Sequence, residues 1–333
     1  MLSIISKYRT ELMGYTMLFV LLGHIITLGG LSNTDLGTAI LFIKSFLPVT
    51  GFLFLSGFGM MFSLKKNDNW NEFYKRRFYR FLLPFWCLSI PYFIIVTLFK
   101  DESIWYFFST ITTVEFWISG NYHGMWYIAV SLLLYVITPI LYSLIKKSNN
   151  YKWVVLILFV LISVIISYIL ESLFPHYWKF VGIGVSRIPY FFLGMVFGYF
   201  AQCGFSNKFV CFSLNVVCIA YVILRFYGYN TESFFMGAIM LMMGITVIST
   251  IVSITSKIHV TFSAVNRPLR WMGKYSYELY MLHLYLWFII KNALKLSQWQ
   301  NIALACILAI VFAYPVHLMI EKICNKIQKL LSK

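Results

Sequence analysis

Residues 153–170 read WVVLILFVLISVIISYIL, eighteen positions without a charge, set between Lys152 and Glu171. At a rise of about 1.5 Å per residue such a run covers most of a hydrocarbon layer roughly 30 Å thick. Runs of comparable length recur at about 11–31, 41–64, 81–99, 126–145, 183–201, 209–226, 233–255, 275–293 and 301–320. With 153–171 they make about ten spans. Lipid offers the backbone no hydrogen bonds, so spanning segments close as helices or as a barrel. A barrel would show alternating segments of about ten residues. These runs are continuous, which predicts an all-α polytopic bundle.

The composition agrees. The 333 residues are 60% hydrophobic, 20% aromatic and 11% charged, with mean hydropathy +0.79. A soluble domain carries roughly 25% charged residues, so water is excluded as this chain's solvent. The formal net charge of +16 would suggest nucleic acid in a soluble protein. Here the charges sit in short connectors, and topology, anionic membrane lipid or an anionic substrate explains them; no nucleic-acid partner is expected. The six cysteines, Cys87, Cys203, Cys211, Cys218, Cys306 and Cys324, show no CxxC spacing, and no disulfide framework or metal site is expected. Lys7 and Arg9 ahead of an apolar stretch mimic a signal peptide, but the stretch is long and has no clear small-x-small cleavage site, so it reads as a retained first span.

The connectors orient the chain. Lys65, Lys66, Lys75, Arg76, Arg77, Arg80, Lys146, Lys147, Lys152, Lys208, Lys257, Arg267, Arg270, Lys274, Lys322, Lys326, Lys329 and Lys333 fall on one side if the spans alternate. Asp35, Asp101, Glu102, Glu115, Glu171 and Glu232 fall on the other. The basic side is cytoplasmic, and an even number of spans puts both termini there. A single integral-membrane domain over 1–333 is expected, with no soluble domain or repeat. The connector at about 100–125 is rich in aromatics (Trp105, Tyr106, Phe107, Phe108, Phe116, Trp117) and reads as a re-entrant or interfacial stretch.

Ionisable groups inside spans are costly and mark candidate sites. His24 lies roughly 20 Å along a first span that begins near Glu11. An imidazole there either takes a proton from a hydroxyl or hydrogen-bonds a neighbouring helix and only holds packing. Ser276, Tyr280 and His283 recur at i, i+4 and i+7 and share one face of the ninth span, with Glu278 pointing elsewhere. Arg76, Arg77 and Arg80 have helical spacing that puts them on one face at the cytoplasmic mouth of the third span. They suit multidentate phosphate binding, or act as a positive-inside anchor. His123 and Trp126 at the outer mouth of the fourth span, and Arg187 near the outer end of the sixth, can meet a polar acceptor or form an interface belt. Lys44 reads as snorkelling outward. His176, His259 and His317 carry no assignment.

Together these stretches resemble the acyltransferase 3 family of integral-membrane O-acyltransferases along nearly the whole chain. The resemblance rests on Arg9 through His24, on Phe54-Leu-Ser-Gly-Phe-Gly59, and on Arg76-Arg-Phe-Tyr-Arg-Phe-Leu-Leu-Pro84. It continues in His123-Gly-Met-Trp-Tyr127, Arg187-Ile-Pro-Tyr-Phe-Phe-Leu-Gly194 and Gly273-Lys-Tyr-Ser-Tyr-Glu-Leu-Tyr-Met-Leu-His283. The family has about ten spans. Many members carry Arg or Lys eleven positions before the first-span His; here that position is Met13, and Arg9 is the nearest upstream cation. The hydrolase-like domain fused to some members is expected to be absent.

The resemblance implies transfer of an acyl group, usually acetyl, from acetyl-CoA to a carbohydrate or glycolipid hydroxyl at the cell membrane. It puts the donor phosphates on Arg76, Arg77 and Arg80, with Ser56 nearby in the donor site. His24 becomes general base or acyl relay, and Ser276, Tyr280 and His283 orient it or bind the oxyanion. Glu278 and Arg9 would balance charge. His123, Trp126 and Arg187 would face the sugar. Self-association into a homo-oligomer is compatible with the sequence. A transporter or flippase, or a non-catalytic partner in glycan assembly, would use similar midplane polar groups, but neither would turn over labelled acetyl-CoA.

Overall fold

The computed structural model describes residues 2–46, 49–100, 103–120, 125–204 and 262–331. The expected spans at 209–226 and 233–255, together with His123 and the side chain of Lys44, lie outside the described residues. Among the described residues every regular element is helical. In chain order they are α1 (Leu2–Lys7), α2 (Arg9–Leu28), α3 (Asp35–Phe46), α4 (Thr50–Lys66), α5 (Trp70–Arg77), α6 (Leu83–Lys100), α7 (Ile104–Ile111), α8 (Val114–Ser119), α9 (Trp126–Lys147), α10 (Lys152–Leu173), α11 (Pro175–Val185), α12 (Ile188–Gln202), α13 (Phe262–Lys274), α14 (Ser276–Ala293) and α15 (Gln298–Leu331).

Among the described residues six helical stretches are long and apolar enough to cross a membrane: Arg9–Leu28, Trp70–Leu98, Trp126–Lys147, Asn149–Leu173, Pro175–Gln202 and Gln298–Leu330. They cover the expected first, third, fourth, fifth, sixth and tenth spans. The expected second span is two helices, α3 and α4, the latter of 17 residues. The ninth, α14, carries Glu278, His283 and Lys291 in 18 residues. Helix α10 shows why lipid is the solvent. Leu158, Leu161, Ile162, Ile165 and Ile166 are each 47–55% exposed on it. In water such a stripe would be an aggregation surface.

The chain divides into two compact units, residues 1–61 with 190–310 and residues 62–189 with 311–333. Lipid tails are as apolar as a protein core, so helices in a membrane associate through close packing and polar contacts. In the first unit this packing runs through glycines. A Cβ on Gly14 of α2 would lie 1.8 Å from the Leu269 carbonyl oxygen of α13, and one on Gly273 would lie 1.8 Å from that of Thr10. Likewise a Cβ on Gly57 of α4 would meet Phe191 O of α12 at 1.9 Å, and one on Gly194 would meet Phe54 O at 2.0 Å. Each crossing is thus a reciprocal pair of glycines that lets two backbones touch.

In the second unit large rings fill the core, with Phe73, Phe85, Phe93 and Phe116 almost wholly buried. Two expectations, the bounds of the third and of the sixth span, change here. The third span begins at Trp70, and its α-helical ladder widens to a π-helical turn over Phe78–Leu82. The cause is local: Leu83 N–H donates to Phe78 O, and Pro84 has no N–H for the next carbonyl, Tyr79 O. The Cys324 thiol of α15 lies 3.8 Å from that oxygen and offers a weak donor in its place. The sixth span is broken at Ser186 and Arg187 into α11 and α12, because Pro189 cannot donate to Val185 O. The 100–125 connector contains two short helices, α7 and α8. Ile104, Trp105 and Phe108 are exposed on them while Tyr106 and Phe116 are buried, a two-faced pattern suited to an interface.

Candidate active site

Helices α2 and α13–α14 lie side by side in parallel and in constant register. Glu11 on α2 pairs with Arg270 on α13, a separation of 259 positions, through Arg270 Nε at 2.9 Å and Nη2 at 2.6 Å from Oε1. The glycine crossing pairs Gly14 with Gly273 at the same separation. His24 meets His283 at the same separation again, with ring centroids 5.2 Å apart and tilted 44°. The break between α13 and α14 at Tyr275 does not interrupt the ladder: Tyr275 N–H donates to Trp271 O at 3.1 Å and Leu279 N–H to Tyr275 O at 3.0 Å. The spacing of 13 residues from ion pair to histidine is therefore carried along both strands of the pair, roughly 20 Å at 1.5 Å per residue.

At the histidine level the chemistry is specific. His283 is fully buried, and its Nδ1 lies 2.8 Å from Leu279 O. A carbonyl only accepts, so Nδ1 carries the proton and Nε2 keeps its lone pair. That Nε2 is buried and makes no hydrogen bond among the described residues. Tyr280, 4% exposed, sets its ring edge-on to His283 at 6.0 Å. His24 is half-buried. A half-open imidazole backed by a buried one of fixed tautomer can receive a proton from a hydroxyl and share it with a neighbour.

The other expected members of this site are placed as follows. Ser276 is half-buried at the start of α14, two turns from His283. Glu278 is only 5% exposed and, five residues from His283, lies on a different face of α14. Ser56 is buried in α4. Arg9 is 15 residues, roughly 22 Å, from His24 along α2. Its guanidinium rests on Gly59 of α4, where a Cβ would lie 2.5 Å from Cζ. Sequence reading treated Glu11 as a span boundary and Arg270 as a topology charge; their pairing gives no signal until the two helices are known to be neighbours.

In the second unit the Arg cluster is unevenly exposed: Arg76 and Arg77 are half-buried, and Arg80, inside the π-helical turn, is exposed. Arg77 points inward between the rings of Phe73, 5.4 Å from its guanidinium, and Tyr135, 5.0 Å away. Tyr135 is the tenth residue of the 22-residue α9, so this cation is near the middle of that helix. Phe81 packs edge-on against Tyr135 at 5.0 Å, and the Tyr74 hydroxyl donates to Val136 O at 2.8 Å. Arg76 and Arg80 are close enough to act on the charge of Arg77. Arg76 Nη2 is buried with no hydrogen-bond partner among the described residues. These cations could hold an anionic group. Farther along, Arg187 stands in the break between α11 and α12 and sets its guanidinium 5.1 Å over the ring of Trp126, so two expected acceptor residues do meet. Its Nη1 also donates to Ile183 O.

A comparison with models of known protein families matches residues 14–318 to the acyltransferase domain (Acyl_transf_3). The chain belongs to the acyltransferase 3 family. No curated protein and no solved structure matches it. Membership makes this multi-pass protein a membrane acyltransferase. The family match begins at Gly14, the glycine of the α2/α13 crossing, and runs past His283, so it includes both members of the histidine pair.

Proposed function

We propose that this acyltransferase moves an acetyl group from acetyl-CoA to a hydroxyl of a cell-surface or lipid-linked carbohydrate, with His24 as the proton acceptor or acyl relay. The observation that carries the reading is the meeting of His24 and His283 at 5.2 Å, from two helices far apart in sequence. In the direct form, His24 takes the hydroxyl proton as the acceptor oxygen forms its bond to the acyl carbon. The carbon–sulfur bond breaks, and the thiolate recovers a proton from the imidazolium. In the relay form the His24 nitrogen carries the acyl group between donor and acceptor. His283, its Nδ1–H held by Leu279 O, orients the base and shares its proton. Tyr280 and Ser276 supply hydroxyls for the oxyanion.

Coenzyme A contributes the thioester and anionic phosphates. Arg76, with an enclosed Nη2, and the exposed Arg80 would hold the phosphates, with Arg77 braced between two rings behind them and Ser56 as a further donor-site candidate. Arg187, its guanidinium held over the buried ring of Trp126, would meet the sugar's hydroxyls, with His123 near Trp126 in sequence. Glu278 and Arg9 balance charge around the helices that carry the base. About ten spans with both termini cytoplasmic fit the basic connectors. The test is turnover of acetyl-labelled coenzyme A by membranes that hold the protein, with surface glycans analysed for lost acetyl groups by mass spectrometry. His24→Ala should abolish transfer at normal abundance; undiminished transfer rejects the mechanism.

A further inference from the structure

We infer that Glu11 and Arg270 are positioning residues whose ion pair sets the register of α2 against α13–α14 and thereby the geometry of the His24–His283 pair. The inference rests on the proposed role of His24. Three contacts repeat at one separation of 259 positions along this helix pair: the ion pair, the glycine crossing and the histidines. The glycine crossing brings the backbones together and bars a full one-residue slip of about 1.5 Å, which would carry a side chain onto the Leu269 or Thr10 carbonyl. Within that limit the ion pair sets the finer position. Two nitrogens of one planar guanidinium converge on a single oxygen, Glu11 Oε1, a directional contact that a slip would break.

The lever arm points the same way. The ion pair is three residues from the crossing on one side, and the histidines are ten residues from it on the other. A pivot at the glycines therefore multiplies a displacement at the ion pair about threefold at the imidazoles, as the ratio of these arms at about 1.5 Å per residue. A misplacement of about 1 Å at reacting groups can cost on the order of a hundredfold in rate. The pair also has asymmetric burial: the Glu11 side chain is 2% exposed and that of Arg270 65%. Removing Arg270 leaves an enclosed carboxylate without its cation, so the helix pair must shift to reach another donor or water.

The experiment measures kcat and the apparent KM for acetyl-labelled coenzyme A with the full-length protein in native membranes. The variants are Arg270→Gln, Glu11→Gln, the double variant and His24→Ala, with abundance measured for each. Arg270→Gln should lower kcat at least tenfold with KM within twofold. The double variant, in which two amides can bond and no carboxylate is stranded, should recover kcat to within threefold of wild type. Two single variants within twofold of wild type, or a double variant as slow as the product of the two single losses, would overturn the inference. If Arg270→Gln fails to accumulate, Glu11→Gln decides alone: a kcat lowered about fivefold at unchanged KM supports the positioning role, and an unchanged kcat overturns it. The His24→Ala protein separates the levels. If it is active, the reading of the site has failed; if it is inactive while both single variants, Arg270→Gln and Glu11→Gln, behave as wild type, only the positioning role has.

Discussion

The α2/α13–α14 pair and the α5/α9 pair accommodate buried polarity by different means. In the first, reciprocal glycines remove side chains from the contact, and polar groups are stationed above and below it as matched pairs, Glu11 with Arg270 and His24 with His283. In the second, side chains are large, and the half-buried guanidinium of Arg77 lies between the faces of Phe73 and Tyr135. A backbone contact fixes where imidazoles stand but leaves little room to adjust. An aromatic sandwich tolerates displacement, because a cation–π attraction falls off gently with position. The first arrangement suits proton transfer, which needs fixed distances. The second suits holding a charged group ready for an anion of variable pose.

The comparison can be broken at either end. The largest expected effect is His24→Ala, a loss of about a hundredfold or more in acyl transfer with unchanged membrane abundance, read with labelled acetyl-CoA. Next is Gly273→Leu. Its Cβ would fall 1.8 Å from Thr10 O, so the helices must part; a loss of at least about 3 kcal/mol is expected, seen as a lower thermal midpoint in detergent. Gly204→Ala is the control, since nothing lies within 4 Å and only its positive φ of 69° opposes a side chain; about 1–2 kcal/mol is expected. A Gly273→Leu protein as stable as the Gly204→Ala protein would refute the tight crossing.

The aromatic sandwich predicts smaller changes. Arg77→Ala should raise the apparent KM for acetyl-CoA about tenfold, roughly 1.4 kcal/mol. Tyr135→Leu should raise it by less, and Tyr135→Phe, which keeps the ring, hardly at all. Equal effects of the two Tyr135 variants would shift the argument from the ring to the hydroxyl. Smallest is the exposed pair of Asp68 and Lys146, 2.5 Å apart. The hydrogen bond and charge of Lys146 hold the Asp68 carboxyl below its ordinary value. Any stability from this pair is therefore complete above the ordinary carboxylate range and lost as pH falls through the lowered value. Because solvent screens the pair, Asp68→Asn should leave the thermal midpoint unchanged between pH 5 and 7. A clear drop would mean that the pair matters more than its exposure allows.

Much of this was legible in the residues. Uncharged runs such as 153–170 and charges confined to connectors announce a helical membrane bundle. His24 and His283 stand out because an imidazole in hydrocarbon is unusual, but nothing local shows that the two rings meet. The spacing of Arg76, Arg77 and Arg80 marked a cluster, but gave no sign of the π-helical turn over Phe78–Leu82 in which Arg80 sits. Glu11 and Arg270 were passed over because each is unremarkable alone: one is an acid at a helix start, the other one base among several between apolar runs. The glycines of Ser56-Gly-Phe-Gly59 were visible as a motif, while their separate uses, Gly57 for the α12 backbone and Gly59 for the Arg9 guanidinium, were not.

The residues alone determined the solvent, the helical class and which polar groups must be sheltered. These follow from transfer free energies and backbone hydrogen bonding, which depend on composition along the chain. Tertiary structure decided which helices are neighbours and in what register. In a medium as apolar as the side chains themselves, that choice turns on contacts such as Gly14 with Gly273 and Glu11 with Arg270, made between positions 259 residues apart, and no local pattern encodes them.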